Sequence, residues 1–332
     1  MTITVIKPGM LSSFQDMGRH GAQHLGIPVS GAMDTRAHRL ANALAGNAAQ
    51  EATLEITLTG PVLRFETPAC MALAGALLSP AINGEPIPNN RPLIIRKGDI
   101  LSFGVRQAGA RAYLAVHGGY DLPPVMGSRS TFLGGGFGGL HGRALRKGDV
   151  IPLLSALPEG GLDSLARTLN DMRIYLPAIV GFASRETLRL LRSHHTPLFT
   201  EQSLKTLLST PFRISPHSER MGYRLQGPRL SMHEPAQLLS EPTSFGSIQV
   251  PADGNPIILM ADRQSTGGYP KIAHVAAIDV PQVAQGLPGD TLRFREISLE
   301  EAQSEDVRRE QAFARLDQEL GGFHDLLRTA TT

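Results

Sequence analysis

The chain has 332 residues, of which 41% are hydrophobic and 19% charged, and a formal net charge of +2. That length and apolar content allow one large or two ordinary domains with a sizeable core, and argue against a disordered chain. Near-neutral charge, 5% aromatic residues and no Trp argue against nucleic-acid binding, and a single cysteine, Cys70, excludes an internal disulfide or a Cys-based zinc site.

The N-terminal MTITVIK alternates like a strand and stops at Pro8-Gly9, without the apolar segment and cleavage site of a secretory signal. No apolar run approaches the ~18 residues needed to span a bilayer, so the expectation is a cytoplasmic protein with no membrane partner. Residues 8–34 follow as a glycine-rich polar loop holding Gln15, Asp16, Arg19 and Asp34. Such loops bring distant side chains together; a surface loop stapled by an Asp16–Arg19 pair is the plainer alternative. His20 and His24 have i,i+4 spacing, but Gly21 weakens any helix there, and no metal site is expected.

Asp34 can cap a helix over 35–45, where Ala37, Leu40, Ala41 and Leu44 share a face and Gly46 can end it. Strands are expected at 54–58 and 62–65, on either side of Gly60-Pro61, and at 93–96, 100–103 and 112–116. Cys70, inside Ala69-Cys70-Met71-Ala72-Leu73, reads as a small core residue. The turn Lys97-Gly98-Asp99 recurs as Lys147-Gly148-Asp149 and, varied, as Pro288-Gly289-Asp290, each before apolar residues. The repetition suggests two related β halves; shared turn chemistry is the alternative, because Gly readily supplies positive φ.

Residues 127–139, GSRSTFLGGGFGG, contain Gly134, Gly136 and Gly139 at G-x-G-x-x-G spacing. No helix pattern follows, so a dinucleotide site is rejected, and there is no Walker A sequence. A loop rich in N–H groups beside Ser128, Ser130 and Thr131 could still hold an anion or carbonyl oxygen, or be a mobile surface loop. The stretch 155–161 reads as a linker, followed by short helices at 185–192 and 201–208. The domain expectation is a β subdomain over 1–155, a linker with helices over 156–212, a second β subdomain over 213–297 and a helical tail over 298–330. Arg220 and Arg224 bracket Gly222-Tyr223, and an arginine fork there can clamp a carboxylate or pair with Glu219. Between apolar runs lies Asp262-Arg263-Gln264-Ser265-Thr266-Gly267-Gly268-Tyr269-Pro270-Lys271. Polar groups in such a place need partners, because each buried donor or acceptor left unmade costs about 1–3 kcal/mol. An Asp accepting from an amide N–H while Thr, Tyr or Lys donates to its C=O would recognise a lactam or ureide; a turn satisfied by an Asp262–Arg263 bond is the alternative. Ser298 and Glu301 have capping-box spacing before a helix expected to reach 319, with a second at 323–327.

In order, Gln15-Asp16-x-Gly18-Arg19-x-Gly21, Ser30-Gly31-Ala32-Met33-Asp34, Ala41-Asn42 and Gly46-Asn47 resemble the opening signature of the biotin-dependent carboxyltransferase-like family, also called allophanate hydrolase subunit 2. Leu54-Glu55, Tyr113-Leu114-Ala115-Val116-x-Gly118-Gly119, Gly127-Ser128-x-Ser130-Thr131, Arg220-Met221-Gly222-Tyr223-Arg224-Leu225-x-Gly227, Gln249-Val250-Pro251 and Asp262-x-Gln264-x-Thr266-Gly267-Gly268-Tyr269-Pro270 extend the resemblance across most of the chain. It implies a mainly β, cyclophilin-like β-barrel architecture in two subdomains, with a few peripheral helices and a C-terminal helix. Within the family the chain is most similar to the C subunits of 5-oxoprolinases. That implies partnership with the enzyme's B subunit, itself a homologous cyclophilin-like chain, and with its A subunit, to hydrolyse 5-oxoproline to L-glutamate with ATP, and Mg, as co-substrate. Other family roles are carboxyl transfer from biotin to urea and antagonism of a histidine-kinase inhibitor protein.

On this resemblance Asp262, Tyr269 and Lys271 are expected to be catalytic, Lys271 as a polarising cation. Thr266, Gln264, Arg220, Tyr223, Gln249, Arg19 and Asp34 are expected to bind substrate. Ser128, Ser130, Thr131, Gly134 and Gly135 are expected to hold an anion or nucleotide. The segment from Leu176-Pro177 to about 208 departs from the family pattern and is expected to alter a pocket rim or partner contact.

Overall fold

The computed structural model describes residues 1–182, 187–234 and 238–331. They fall into two compact units, one of Met1–Arg19, Asp34–Phe182 and Glu310–Thr332, the other of His20–Met33 and Ala183–Arg309. The chain thus enters the second unit briefly at 20–33 and returns, which linear boundaries at 155, 212 and 297 do not contain. The expected linker is not a separate piece: a helix at Leu162–Asp171 groups with the first unit and one at Glu201–Ser209 with the second.

The first unit carries strands β1 (Thr2–Lys7), β2 (Leu11–Gln15), β3 (Thr53–Thr57), β4 (Val62–Phe65), β5 (Ala69–Leu77), β6 (Pro80–Ile82), β7 (Glu85–Pro86), β8 (Pro92–Ile95), β9 (Ile100–Phe103), β10 (Ala108–Val116) and β11 (Val150–Pro152). They make two antiparallel sheets, β11-β1-β4-β9-β6-β7 and β2-β3-β10-β5-β8. Alternating residues of both, among them Ile3, Val5, Leu54, Ile56, Leu63, Phe65, Leu73, Leu101 and Leu114, enter one core. Every strand expected in this half is present. Cys70 is fully buried and burial pushes its thiol up to about 12, which fits an inert core residue. Helix α1 (Thr35–Leu44) begins as its sequence requires: the Asp34 carboxylate accepts from the Ala37 N–H at 2.9 Å. Helix α2 is Leu162–Asp171.

The second unit is a closed barrel of β12 (Thr187–Arg192), β13 (Phe212–Ile214), β14 (Gly222–Gln226), β16 (Ser247–Gln249), β17 (Ile257–Leu259), β19 (Lys271–Val275) and β20 (Thr291–Glu296), in the order β12-β19-β16-β17-β14-β13-β20. Strands β15 (Glu241–Pro242) and β18 (Thr266–Gly267) form a separate two-stranded ribbon. Helix α3 (Glu201–Ser209) is as expected, and α4 is Val280–Ala284. Of the helix expected at 185–192, residues 185 and 186 lie outside the described residues and the rest is β12 instead. The alternation in Thr-Leu-Arg-Leu-Leu-Arg decides this: Leu188 and Leu190 join the barrel core, and β12 pairs in parallel with β20.

The repeated Gly-Asp turns share one hydrogen-bond device. Asp99, Asp149 and Asp290 each accept, through a side-chain oxygen, from the backbone N–H three residues earlier, that of Arg96, Arg146 and Leu287. Gly98, Gly148 and Gly289, all at positive φ, donate to Phe65, Val5 and Ile214, whose own N–H groups return a bond to the Asp carbonyl. The turn therefore docks onto a neighbouring strand in both units.

Helix α5 (Leu299–Thr331) is continuous, where a break was expected before 323. Ser298 caps it by accepting from the Glu301 N–H at 3.1 Å. Phe313, Leu316, Leu320, Phe323 and Leu327 are all buried at helical spacing, and this apolar row carries the helix through Gly321-Gly322. Among the described residues no helix is long and apolar enough to cross a membrane.

Candidate functional site

In the first unit the motif residues close on one another. Ser128 Oγ donates to Asp16 at 2.8 Å, Ser130 Oγ donates to it at 2.5 Å, and the N–H groups of Arg129 and Gly18 donate at 2.6 and 2.8 Å. Arg19, fully buried, donates from Nε to the Val125 carbonyl and from Nη2 to that of Ser130, and lies over the Phe137 ring at 4.9 Å. Gln15 donates to the Thr131 carbonyl and the Ser13 hydroxyl. Asp34 is the helix cap, and its N–H donates to Tyr113 Oη, whose own proton goes to Glu55.

Of the three hydroxyls expected to meet an anion, those of Ser128 and Ser130 are thus engaged by a carboxylate, while Thr131 Oγ1 is buried without a hydrogen-bond partner among the described residues. The glycines beside them answer to packing: a Cβ on Gly135 would stand 2.6 and 2.7 Å from ring atoms of Phe132 and Phe137, and one on Gly134 3.2 Å from Phe132. Those rings meet edge to face with centroids 5.6 Å apart. Thr131 is fully buried, its N–H on the Phe14 carbonyl. This loop, as folded, does not fit a triphosphate.

In the second unit the polar stretch divides residue by residue. Asp262, 4% exposed, accepts from Arg220 Nε at 2.8 Å and Nη2 at 3.2 Å, while Arg220 Nη2 also donates to the Gly31 carbonyl. The arginine fork expected at Arg220 does hold a carboxylate, that of Asp262, just past the end of β17. Gln264 donates to Gln249 Oε1 at 3.2 Å, and Thr243 Oγ1 donates to the Gln264 carbonyl. Gly267 lets this pair sit close, since a Cβ there would lie 2.8 Å from Gln249 Nε2 and push that amide aside. Thr266 is exposed on the β15–β18 ribbon and Tyr269 is 52% exposed, so these two face outward rather than lining a buried wall. Tyr223 is a barrel-core residue with its hydroxyl donating to the Gly286 carbonyl, because it points inward on β14. That takes it out of the group around Asp262.

Lys271 is buried, with Nζ donating to Glu241 at 2.5 Å and to the Pro242 carbonyl at 2.9 Å. The hydrogen bond from Lys271 holds the Glu241 carboxyl below its usual range. His194 Nε2 lies 3.2 Å and His195 Nδ1 3.6 Å from Glu241. His194, His195 and Glu241 have the donor set of a metal site, yet the Lys271 N–H donates to His195 Nδ1 and its ammonium occupies Glu241 Oε1. Both features favour the present ion pair over a cation. Burial lowers the His195 and His274 imidazoles, with neighbouring His194 and Lys271 acting in the same direction. Glu241 and the histidines carried no motif that sequence reasoning could use; the adjacent His194-His195 pair was the one visible signal.

The scaffold is thus a closed barrel, antiparallel except where β12 meets β20, carrying a buried Arg–Asp pair and a Gln–Gln contact, and a two-sheet unit. The chain belongs to the family described as carboxyltransferase domain, subdomain A and B, which it matches over residues 25–296. It is 38% identical over 301 residues to the C subunit of 5-oxoprolinase from Escherichia coli (strain K12), covering 90% of this chain and 93% of that one. The C subunit of 5-oxoprolinase from Haemophilus influenzae is 36% identical over 294 residues, covering 88% and 90%. Among solved structures, the Kluyveromyces lactis urea carboxylase superposes with a TM-score of 0.85 at 32% identity, over 95% of this chain and 29% of that one.

Proposed function

We propose that the chain is the C subunit of an ATP-dependent 5-oxoprolinase, working with the A and B subunits to open 5-oxoproline to L-glutamate. The observation that carries this is the near end-to-end match to the 5-oxoprolinase C subunit of Escherichia coli, over 90% of this chain and 93% of its relative. The chemistry asks for recognition of a planar N–H/C=O pair and activation of its carbonyl. ATP would phosphorylate the lactam oxygen, with ADP as leaving group; one water then adds to the ring carbon and the C–N bond breaks, freeing the amine and leaving an acyl phosphate, which a second water hydrolyses to the carboxylate and phosphate. Asp262, oriented by Arg220, is the acceptor for the lactam N–H, and Gln264, two residues on, offers a donor to oxygen. Lys271 acts through Glu241, which it holds, rather than as an open cation. The loop at Ser128 contributes no nucleotide contact to this scheme. The protein works in the cytoplasm.

The urea carboxylase likeness supports a second reading, carboxyl transfer from biotin to urea, on the same scaffold. Reconstitution with the A and B subunits separates the two. ATP-dependent release of glutamate from 5-oxoproline, insensitive to avidin, supports the first. Failure to release glutamate in a mixture where an active C subunit succeeds rejects it.

A further inference from the structure

Arginines in the second unit show what this fold does with a guanidinium. Arg189, Arg192 and Arg220 each present the edge formed by Nε and Nη2 to a carboxylate, those of Asp279, Glu296 and Asp262, at 2.7–3.2 Å. That edge places two N–H groups in parallel, at the spacing of two carboxylate oxygens.

Arg263, which is buried, differs from these three. It is 8% exposed, and among the described residues its buried Nε has no hydrogen-bond partner. Its Nη1 donates to the Met260 carbonyl at a long 3.3 Å, and its guanidinium lies 5.6 Å from the Phe245 ring centre. The nearest carboxylate in sequence, Asp262, has both oxygens on Arg220. Burial pulls the Arg263 guanidinium down to about 10, with Asp262 opposing only in part. A buried cation without a hydrogen-bonded counter-charge costs several kcal/mol in general.

We infer that Arg263 receives the carboxylate of the substrate on its Nε/Nη2 edge and so selects an anionic lactam over a neutral one. This deepens the 5-oxoproline reading and rests on it for the identity of the ligand. 5-Oxoproline bears a carboxylate on the ring carbon next to nitrogen; urea and 2-pyrrolidinone bear none. Asp262 and Arg263, adjacent in the chain, would then read the lactam N–H and the acid beside it. Phe245 lies against the guanidinium face, its ring centre 5.6 Å away.

Two measurements test it. In the reconstituted three-chain complex, Arg263→Met is expected to raise KM for 5-oxoproline about 10- to 100-fold, the loss of a charged hydrogen-bonded pair, with kcat within about threefold. Arg263→Lys, which keeps charge but loses the fork, is expected to fall between. An unchanged KM in both variants overturns the inference. In the full chain alone, the Nε–Hε resonance of Arg263, assigned by its loss in Arg263→Lys, is expected to shift saturably with 5-oxoproline and not with 2-pyrrolidinone. No shift, or equal shifts, overturns the inference while leaving lactam hydrolysis by the complex standing. A selective shift in a chain whose complex releases no glutamate removes the proposed reaction and leaves Arg263 as a carboxylate site.

Discussion

The two units hold comparable sets of polar motif residues and treat them differently. In the first, Asp16 collects donors from Ser128, Ser130, Arg129 and Gly18, and Arg19 ends on carbonyls. In the second, one arginine is matched by a carboxylate and its near neighbour Arg263 is not. Equal polarity in sequence therefore separates into a structural knot and an incomplete one. What distinguishes them is the carboxylate at the centre of each set, Asp16 serving hydroxyls and N–H groups in the first and Asp262 serving Arg220 alone, among the described residues, in the second, which sequence composition does not reveal.

The largest effect that would sharpen this contrast comes from the matched pair. Arg220→Met leaves Asp262 buried without its partner and strips the Gly31 carbonyl of a donor. Urea denaturation is expected to show a loss of about 3–5 kcal/mol. A loss under about 1 kcal/mol would mean that the pair is not a structural anchor.

Asp16→Ala comes next, at roughly 3 kcal/mol, because the buried donors it collects lose a common acceptor. Adding Ser130→Ala to Asp16→Ala is expected to cost little more than Asp16→Ala alone. Full additivity in that cycle would break the picture of a closed knot. Gly135→Ala follows, at about 1–3 kcal/mol, from crowding against Phe132 and Phe137. Glutamate release by the folded fraction of this variant should be unchanged; a selective rise in KM for ATP would restore the nucleotide reading of the loop.

Acid should act on the second unit in two smaller steps. His195 and His274 have folded values below the ordinary 6.5, so the stability they contribute is present above 6.5 and is lost as pH falls below it. Glu241, depressed below 4.5 chiefly by the Lys271 hydrogen bond, contributes above 4.5 and is lost on further acidification. Glu241→Gln should remove the lower step in the denaturation midpoint against pH and leave the upper one. Persistence of the lower step would assign it to other carboxylates.

Much of this is legible in the sequence. Period-two runs and Gly-Asp turns mark the strands, and Asp34 marks the start of α1, because both signals are local. The strand at β12 reads as a helix because its alternation is short and breaks at Leu190-Leu191, a doublet that also suits a helix face; its pairing with β20, about a hundred residues away, settles it and is not local. Continuity of α5 through Gly321-Gly322 is lost to a propensity rule that buried Phe323 and Leu327 override. At the candidate site, Asp262, Arg220, Gln249 and Gln264 stand out in the sequence, and the structure pairs Asp262 with Arg220 and Gln249 with Gln264. Tyr223 is misplaced because a motif marks a position without marking which face of a strand it occupies. Glu241, which holds Lys271, lies 30 residues away on a two-residue strand with no pattern around it.

The smallest predicted stability change is also the sharpest. Arg263→Met exchanges a buried guanidinium lacking a carboxylate partner for an apolar chain of similar reach beside Phe245. Replacement of an ordinary structural arginine by Met breaks a pair; here desolvation of a charge is removed and only the long bond to Met260 is lost. The two terms oppose, so the folded chain should change by no more than about 1 kcal/mol, in either direction. Set beside the loss expected for Arg220→Met, the same substitution chemistry separates an arginine that holds the barrel from one held ready for a ligand. Equal losses at both positions would show that Arg263 is structural after all, and the distinction between the closed and the incomplete cluster would vanish with it.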